Sequence, residues 1–164
     1  MARTFIGIDP GGSGGIAAQY CDDSGTVRSN LETIKLSETE ADVADWLDRW
    51  SYHNPFAYLE NVHSMPGQGV SSVFTFGQSL GCLRGILIAL RIPFELVSPM
   101  KWQAAMACRT RGDKNVSKAR AQELFPELKV THATADALLI SEYGRRLLWP
   151  STPSKSKTSR RTRR

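Results

Sequence analysis

Three cysteines in 164 residues, Cys21, Cys82 and Cys108, are too few and too irregularly spaced for a disulfide framework. An odd count without C-x-x-C spacing fits a reducing, cytoplasmic setting. Histidine is as scarce: His53 and His63 have no partners at zinc spacing, and no Ser/His/Asp or Cys/His grouping stands out. Long apolar runs are also missing. Asp9 interrupts the N-terminal one, so no secretory leader is expected. The apolar stretch 85–90 is short and flanked by Arg84 and Arg91, which points to a soluble protein with no membrane partner. The glycine-rich segment 11–15 lacks the Lys-Ser/Thr pair of a phosphate loop and leads into a strand-like run, so it reads as a turn between strands.

Acidic and basic residues are unevenly distributed. Residues 1–60 hold 10 acids and 4 Lys/Arg, residues 61–152 hold 6 acids and 11 Lys/Arg, and residues 153–164 hold 6 Lys/Arg with no acid. A basic second half suits a polyanionic partner, because each neutralised phosphate releases counterions. The length predicts one domain over residues 1–150, followed by a disordered basic tail over 151–164. That tail is either a contact for the polyanion or a solvated end.

Strand-like runs at 4–9, 14–20 and 26–34 are separated by turn residues and predict an antiparallel meander. Residues 37–40 have capping-box spacing ahead of Val43, Trp46, Leu47 and Trp50, which recur as one face of a helix over 38–51. A strand from Pro55 to Glu60, a helix over 70–91 and a strand over 94–97 follow. Ser98-Pro99 then opens a helix through Trp102 and Met106. A charged loop over 109–115, a helix over 116–125 and a last helix capped by Thr131 complete the chain. This alternation predicts an α/β fold with a mixed sheet covered by helices. Gly77, Gly81 and Gly85 share one face of the long helix and imply close packing, against the sheet or against a second subunit.

Three acids stand where apolar residues would be expected. Asp9 ends the run Thr4-Phe5-Ile6-Gly7-Ile8, Glu60 ends Phe56-Ala57-Tyr58-Leu59, and Asp136 interrupts the apolar stretch 135–140. Such carboxylates are costly to bury unless they are paired or bound to a cation. Converging from two strand ends and a helix, they can hold two divalent ions roughly 3.5–4 Å apart, the arrangement used for in-line phosphodiester hydrolysis. An all-oxygen site suits Mg2+, with Mn2+ as substitute. His132, four residues before Asp136, either ligates, assists proton transfer, or faces solvent.

The pieces FIGIDPGGSGGIA at 5–17, 58–87, LVSPMKWQ at 96–103 and HATADALLISEYGRR at 132–146 resemble the RuvC-type Holliday junction resolvases, particularly the short bacteriophage and prophage forms. The resemblance implies a ribonuclease H-like, mixed five-stranded sheet (three antiparallel strands, then parallel ones) flanked by helices. It also implies a homodimer and metal-dependent nicking of branched DNA. Asp9, Glu60 and Asp136 match the family's metal-binding acids. The family's fourth ligand lies three residues before the last acid, where this chain has Ala133, with His132 one residue further back. Lys114 and Lys118 fall where the family places basic residues near the scissile phosphate, Lys114 being the better candidate. Lys101, Arg109, Arg111 and Gln68 are further candidate DNA contacts. Met65 or Phe74 is either the apolar wedge that opens the junction or a core residue.

Two other readings use the same features. An ATP-binding protein of the actin and sugar-kinase type also begins strand-Asp-x-Gly, but needs two such domains. A relative that binds nucleic acid without cutting would have no reason to keep three costly acids.

Overall fold

Alternation along the strands decides which side chains face each side of the sheet. Phe5, Ala17 and Tyr58 pack into one apolar cluster, while Ile6, Ile8, Ile16, Ala18, Ala57 and Leu59 pack into another on the opposite face. The computed structural model describes residues 1–36, 39–61, 67, 69–109 and 113–149. Strands β1 (Arg3–Asp9), β2 (Gly15–Cys21) and β3 (Val27–Lys35) form the expected meander. Helix α1 (Glu40–Ser51), β4 (Pro55–Glu60), α2 (Val70–Ala89), β5 (Phe94–Val97), α3 (Pro99–Ala105), α4 (Lys114–Leu124) and α5 (His132–Leu148) follow. The sheet order is β3-β2-β1-β4-β5, with β4 parallel to both β1 and β5. Residues of α3, α4 and α5 fill the first cluster, and those of α1 and α2 fill the second.

Several boundaries differ from expectation for local reasons. The cap of α1 is Thr39, which exchanges hydrogen bonds with Asp42; residues 37 and 38 lie outside the described set. Helix α2 stops at Ala89, two residues early. Arg91 takes left-handed backbone (φ 54) and the Ile92 N–H reaches back to the Leu87 carbonyl at 2.9 Å, closing the helix end. Helix α4 starts at Lys114, because Asp113 accepts from the Asn115 N–H and acts as its N-cap. Lys114 and Asn115 belong to the helix for that reason, and Lys114 sits on a first helical turn.

The glycine stripe of α2 does not pack on the sheet. A Cβ at Gly77, Gly81 or Gly85 would meet no atom within 4 Å. Only Leu83 and Leu87 of this helix are buried. Its 20 residues have mean hydropathy 1.3, so α2 is long and apolar enough to cross a bilayer, a property the stretch 85–90 does not convey. Arg84 interrupts its C-terminal half, and Leu83 and Leu87 share a cluster with Val43, Trp46 and Leu47 of α1.

Helix α5 lies directly across β1. A Cβ on Gly7 would overlap the Ala137 carbonyl and the Ser141 amide, so only glycine lets this backbone approach. Further along the helix, Gly144 leaves the same kind of room for the Tyr58 ring. The far end of α5 is fastened by Arg145, which donates to the Gly25 carbonyl at 3.2 Å while the buried Glu142 of the same helix pairs with it at 2.7 Å and with Arg146 at 2.8 Å. Overpacking of this kind costs about 1–3 kcal/mol. Gly7→Ala should therefore lower stability to denaturant by at least that amount, and an unchanged urea midpoint would contradict the contact.

Candidate active site

Register brings the two strand acids together. Because β1 and β4 are parallel and Ile8 is paired with Leu59, Asp9 and Glu60 emerge side by side at the carboxyl ends of adjacent strands. Asp9 shares the parity of Phe5 and Gly7, and Glu60 that of Tyr58, so both turn toward the α5 face. Asp136 comes down onto them from the second turn of α5. The carboxyl edge of such a sheet is where α/β folds place their ligands.

Burial and mutual repulsion set the chemistry of the three acids. Desolvation raises the Asp9 pKa, and the charge of Asp136 adds to this. The Gly11 N–H, donating to Asp9 Oδ1 at 3.0 Å, and the charge of Lys114 oppose it. Glu60, only 8% exposed, is pushed up to about 7 by burial and by the charge of Asp9, against a hydrogen bond from Trp102. Asp136 is also raised by burial, while the Ser117 hydroxyl and the charges of Lys114 and His132 pull it down. Its Oδ1 is buried and has no hydrogen-bond partner.

Among the described residues no three His, Cys, Asp or Glu side chains are already arranged to hold a metal ion. The acids are coupled electrostatically rather than closed around a point, as like charges without a counter-charge should be. The donor set fits a divalent cation all the same: oxygen ligands only, buried enough to raise their pKa values, with one carboxylate oxygen lacking a donor.

The other predicted residues differ in how near they lie to the acids. Lys114 is exposed on the first turn of α4, near enough for its charge to act on both Asp9 and Asp136. His132 is exposed, one turn before Asp136, and its charge acts on that acid alone of the three. Lys101 on α3 pairs at 3.6 Å with Glu95 across solvent, Arg109 is exposed after α3, and Lys118 is half-buried on α4. Met65, Gln68 and Arg111 lie outside the described residues, as does the tail over 151–164. Phe74 is 66% exposed on the first turns of α2, which removes the core reading for it.

Two residues escaped the sequence reading. The Trp102 indole Nε1 donates to Glu60 Oε1 at 2.8 Å, and Ser117 sits beside Asp136. An apolar helix position hides the first, and the second has no sequence signal.

Solved structures share this architecture. The Thermus thermophilus RuvC structure superposes with a TM-score of 0.62 at 19% identity, over 90% of this chain and 96% of that one. T. thermophilus RuvC in complex with Holliday junction substrate gives 0.60 at 18% identity, over the same shares. The yeast mitochondrial Holliday junction resolvase Ydc2 gives 0.51 at 18% identity, over 86% of this chain and 77% of that one. No protein-family model and no curated protein matches the chain. At these identities the likeness establishes the fold, which is the ribonuclease H-like α/β fold of RuvC.

The raised Glu60 pKa has a consequence for stability. An unfolded glutamic acid loses its proton near 4.5, whereas the native one holds it to about 7. Between those values the native state binds more protons, so stability of the metal-free protein falls as pH rises through this window. Glu60→Gln should flatten that fall and melt above wild type at pH 8, by roughly 2–4 °C per kcal/mol of repulsion removed. Equal melting curves at pH 8 would contradict the buried-acid arrangement.

Proposed function

We propose that this chain is a divalent-metal-dependent endonuclease that nicks four-way DNA junctions or closely related branched DNA, acting as a homodimer in the cytoplasm. The observation that carries the reading is the meeting of Asp9, Glu60 and Asp136 on one face, with Asp136 Oδ1 buried and without a donor. The fold of known junction resolvases supports it, one of them solved with junction DNA.

Asp9, Glu60 and Asp136 would hold the cations, Mg2+ in the first instance. When bound, such ions lower the pKa of water and balance the charge that develops at phosphorus. The rest of the work belongs to the chain. Asp9 is held by the Gly11 N–H, so its carboxylate has one orientation. Lys114 brings a positive charge to the edge of the cluster and would orient the phosphate being cut. His132, one turn before Asp136, would carry a proton between solvent and the reacting oxygens, or supply a fourth ligand. Water adds to phosphorus as the bond to one deoxyribose oxygen breaks, and a proton must leave the water and reach that oxygen.

Lys101, Arg109, Arg111, Lys118 and the basic tail would hold the DNA backbone, and Gln68 and Met65 would reach it from the loop after Glu60. Phe74, exposed on the first turns of α2, is the better wedge for unstacking a base step. Val70 and Ile88 are exposed on the same helix, and the glycine stripe is open. A second copy would cover that helix from Gly77 onward, leaving Phe74 to the DNA, and an isologous contact would supply the two active sites that paired nicks require.

Single-turnover cleavage of a four-way junction in magnesium, beside a binding titration in calcium, tests the central reading. Asp9→Asn, Glu60→Gln and Asp136→Asn should each abolish cleavage and leave binding intact, whereas His132→Ala should lose about 10–100-fold. Cleavage by Asp136→Asn at the wild-type rate would sink the shared metal site. Sedimentation tests the dimer separately. Wild type should sediment as a dimer at micromolar concentration, and Gly81→Leu, which meets nothing within its own subunit, should dissociate it.

A further inference from the structure

We propose that Trp102 is a positioning residue of the acid cluster: its indole N–H fixes the Glu60 side chain and reserves Oε2 for the cation. The inference rests on the metal-site reading above. Glutamate is the longest acid of the three, with more rotatable bonds to immobilise than either aspartate. Asp9 is short and anchored by the Gly11 amide, and Asp136 is carried on a packed helix. Glu60 needs a separate tether, and the bond from Trp102 Nε1 to its Oε1 at 2.8 Å is one.

Both partners are dry. Trp102 is fully buried and Glu60 is 8% exposed, so the bond forms where water does not compete and where its loss would not be replaced. The route by which the chain brings them together is short. Glu60 is in register with Val97, the Asn61 N–H donates to the Val97 carbonyl at 2.7 Å, and α3 begins two residues later. Pro99 at the first helical position holds that start, and the Trp102 N–H closes the first turn on the Ser98 carbonyl at 3.3 Å. Trp102 therefore lies one helical turn beyond the strand next to Glu60. Its ring also belongs to the core cluster with Met106, Cys108 and Leu138. Filling that core needs only an apolar ring, whereas an N–H aimed at a carboxylate orients it, as outer-shell donors do for metal ligands.

The test separates the N–H from the ring. Replacement of Trp102 by 3-benzothienylalanine keeps the bicyclic outline and puts sulfur where the N–H was. Trp102→Phe keeps an aromatic ring and also removes the donor. Mn2+ binding to the DNA-free protein is measured by electron paramagnetic resonance, with junction binding in calcium and thermal melting alongside. Both variants should bind Mn2+ about 10–100-fold more weakly, with junction binding unchanged and the analogue melting close to wild type. The Mn2+ concentration for half-maximal single-turnover cleavage should rise by the same factor. Wild-type Mn2+ affinity in either variant overturns the positioning role and leaves the nuclease reading standing. A wild-type protein that binds no Mn2+ overturns both.

Discussion

Contact between the backbone of α5 and the backbone of β1 is the constraint on which the rest depends. Gly7 leaves no side chain between them, so the helix sits against the strand rather than on a layer of side chains. That proximity lets a helical carboxylate meet two strand-end carboxylates over a short reach. The opposite end of the same helix is fastened by Arg145, which the buried Glu142 holds in place and which donates to the Gly25 carbonyl at 3.2 Å. With both ends fixed, the angle of α5 and the height of Asp136 above the sheet are set by packing, not by the acids themselves. This matters because the acids, left to their own repulsion, would move apart.

The site is thus a place where folding free energy is spent against electrostatics. Desolvation raises all three pKa values, and the neighbours that relieve it (the Gly11 amide, Trp102, Ser117, Lys114) each do so partially. A hydrophobic substitution at any one acid would fit the surrounding core more cheaply. The arrangement makes physical sense as preparation for a positive charge that arrives with function rather than with folding.

Much of this was legible in the sequence. The order of elements followed from periodicity and turn residues, and the acids stood out because each interrupts an apolar pattern. Their common face follows from strand parity alone once β1 and β4 are taken as parallel neighbours. What could not be read was anything that depends on an atom meeting another across the fold. Trp102 looks like one more apolar residue of a short helix, since its donor matters only because β5 delivers it beside Glu60. The glycine stripe implied close packing against the sheet or a second subunit; the structure removes the sheet and leaves that face of α2 open. The early start of α4 turned on Asp113, a capping residue that reads equally well as part of a charged loop.

On the dimer proposed above, the bare face of α2 would tie paired cutting to abundance. A helix this apolar is poorly matched to water, and a dimer formed through it would exist in proportion to the square of the chain's concentration while monomers predominate. Paired nicking, which needs both copies, would then gain disproportionately from a modest rise in expression. On the nuclease reading proposed above, such a steep dose response would limit stray cutting without any separate inhibitor.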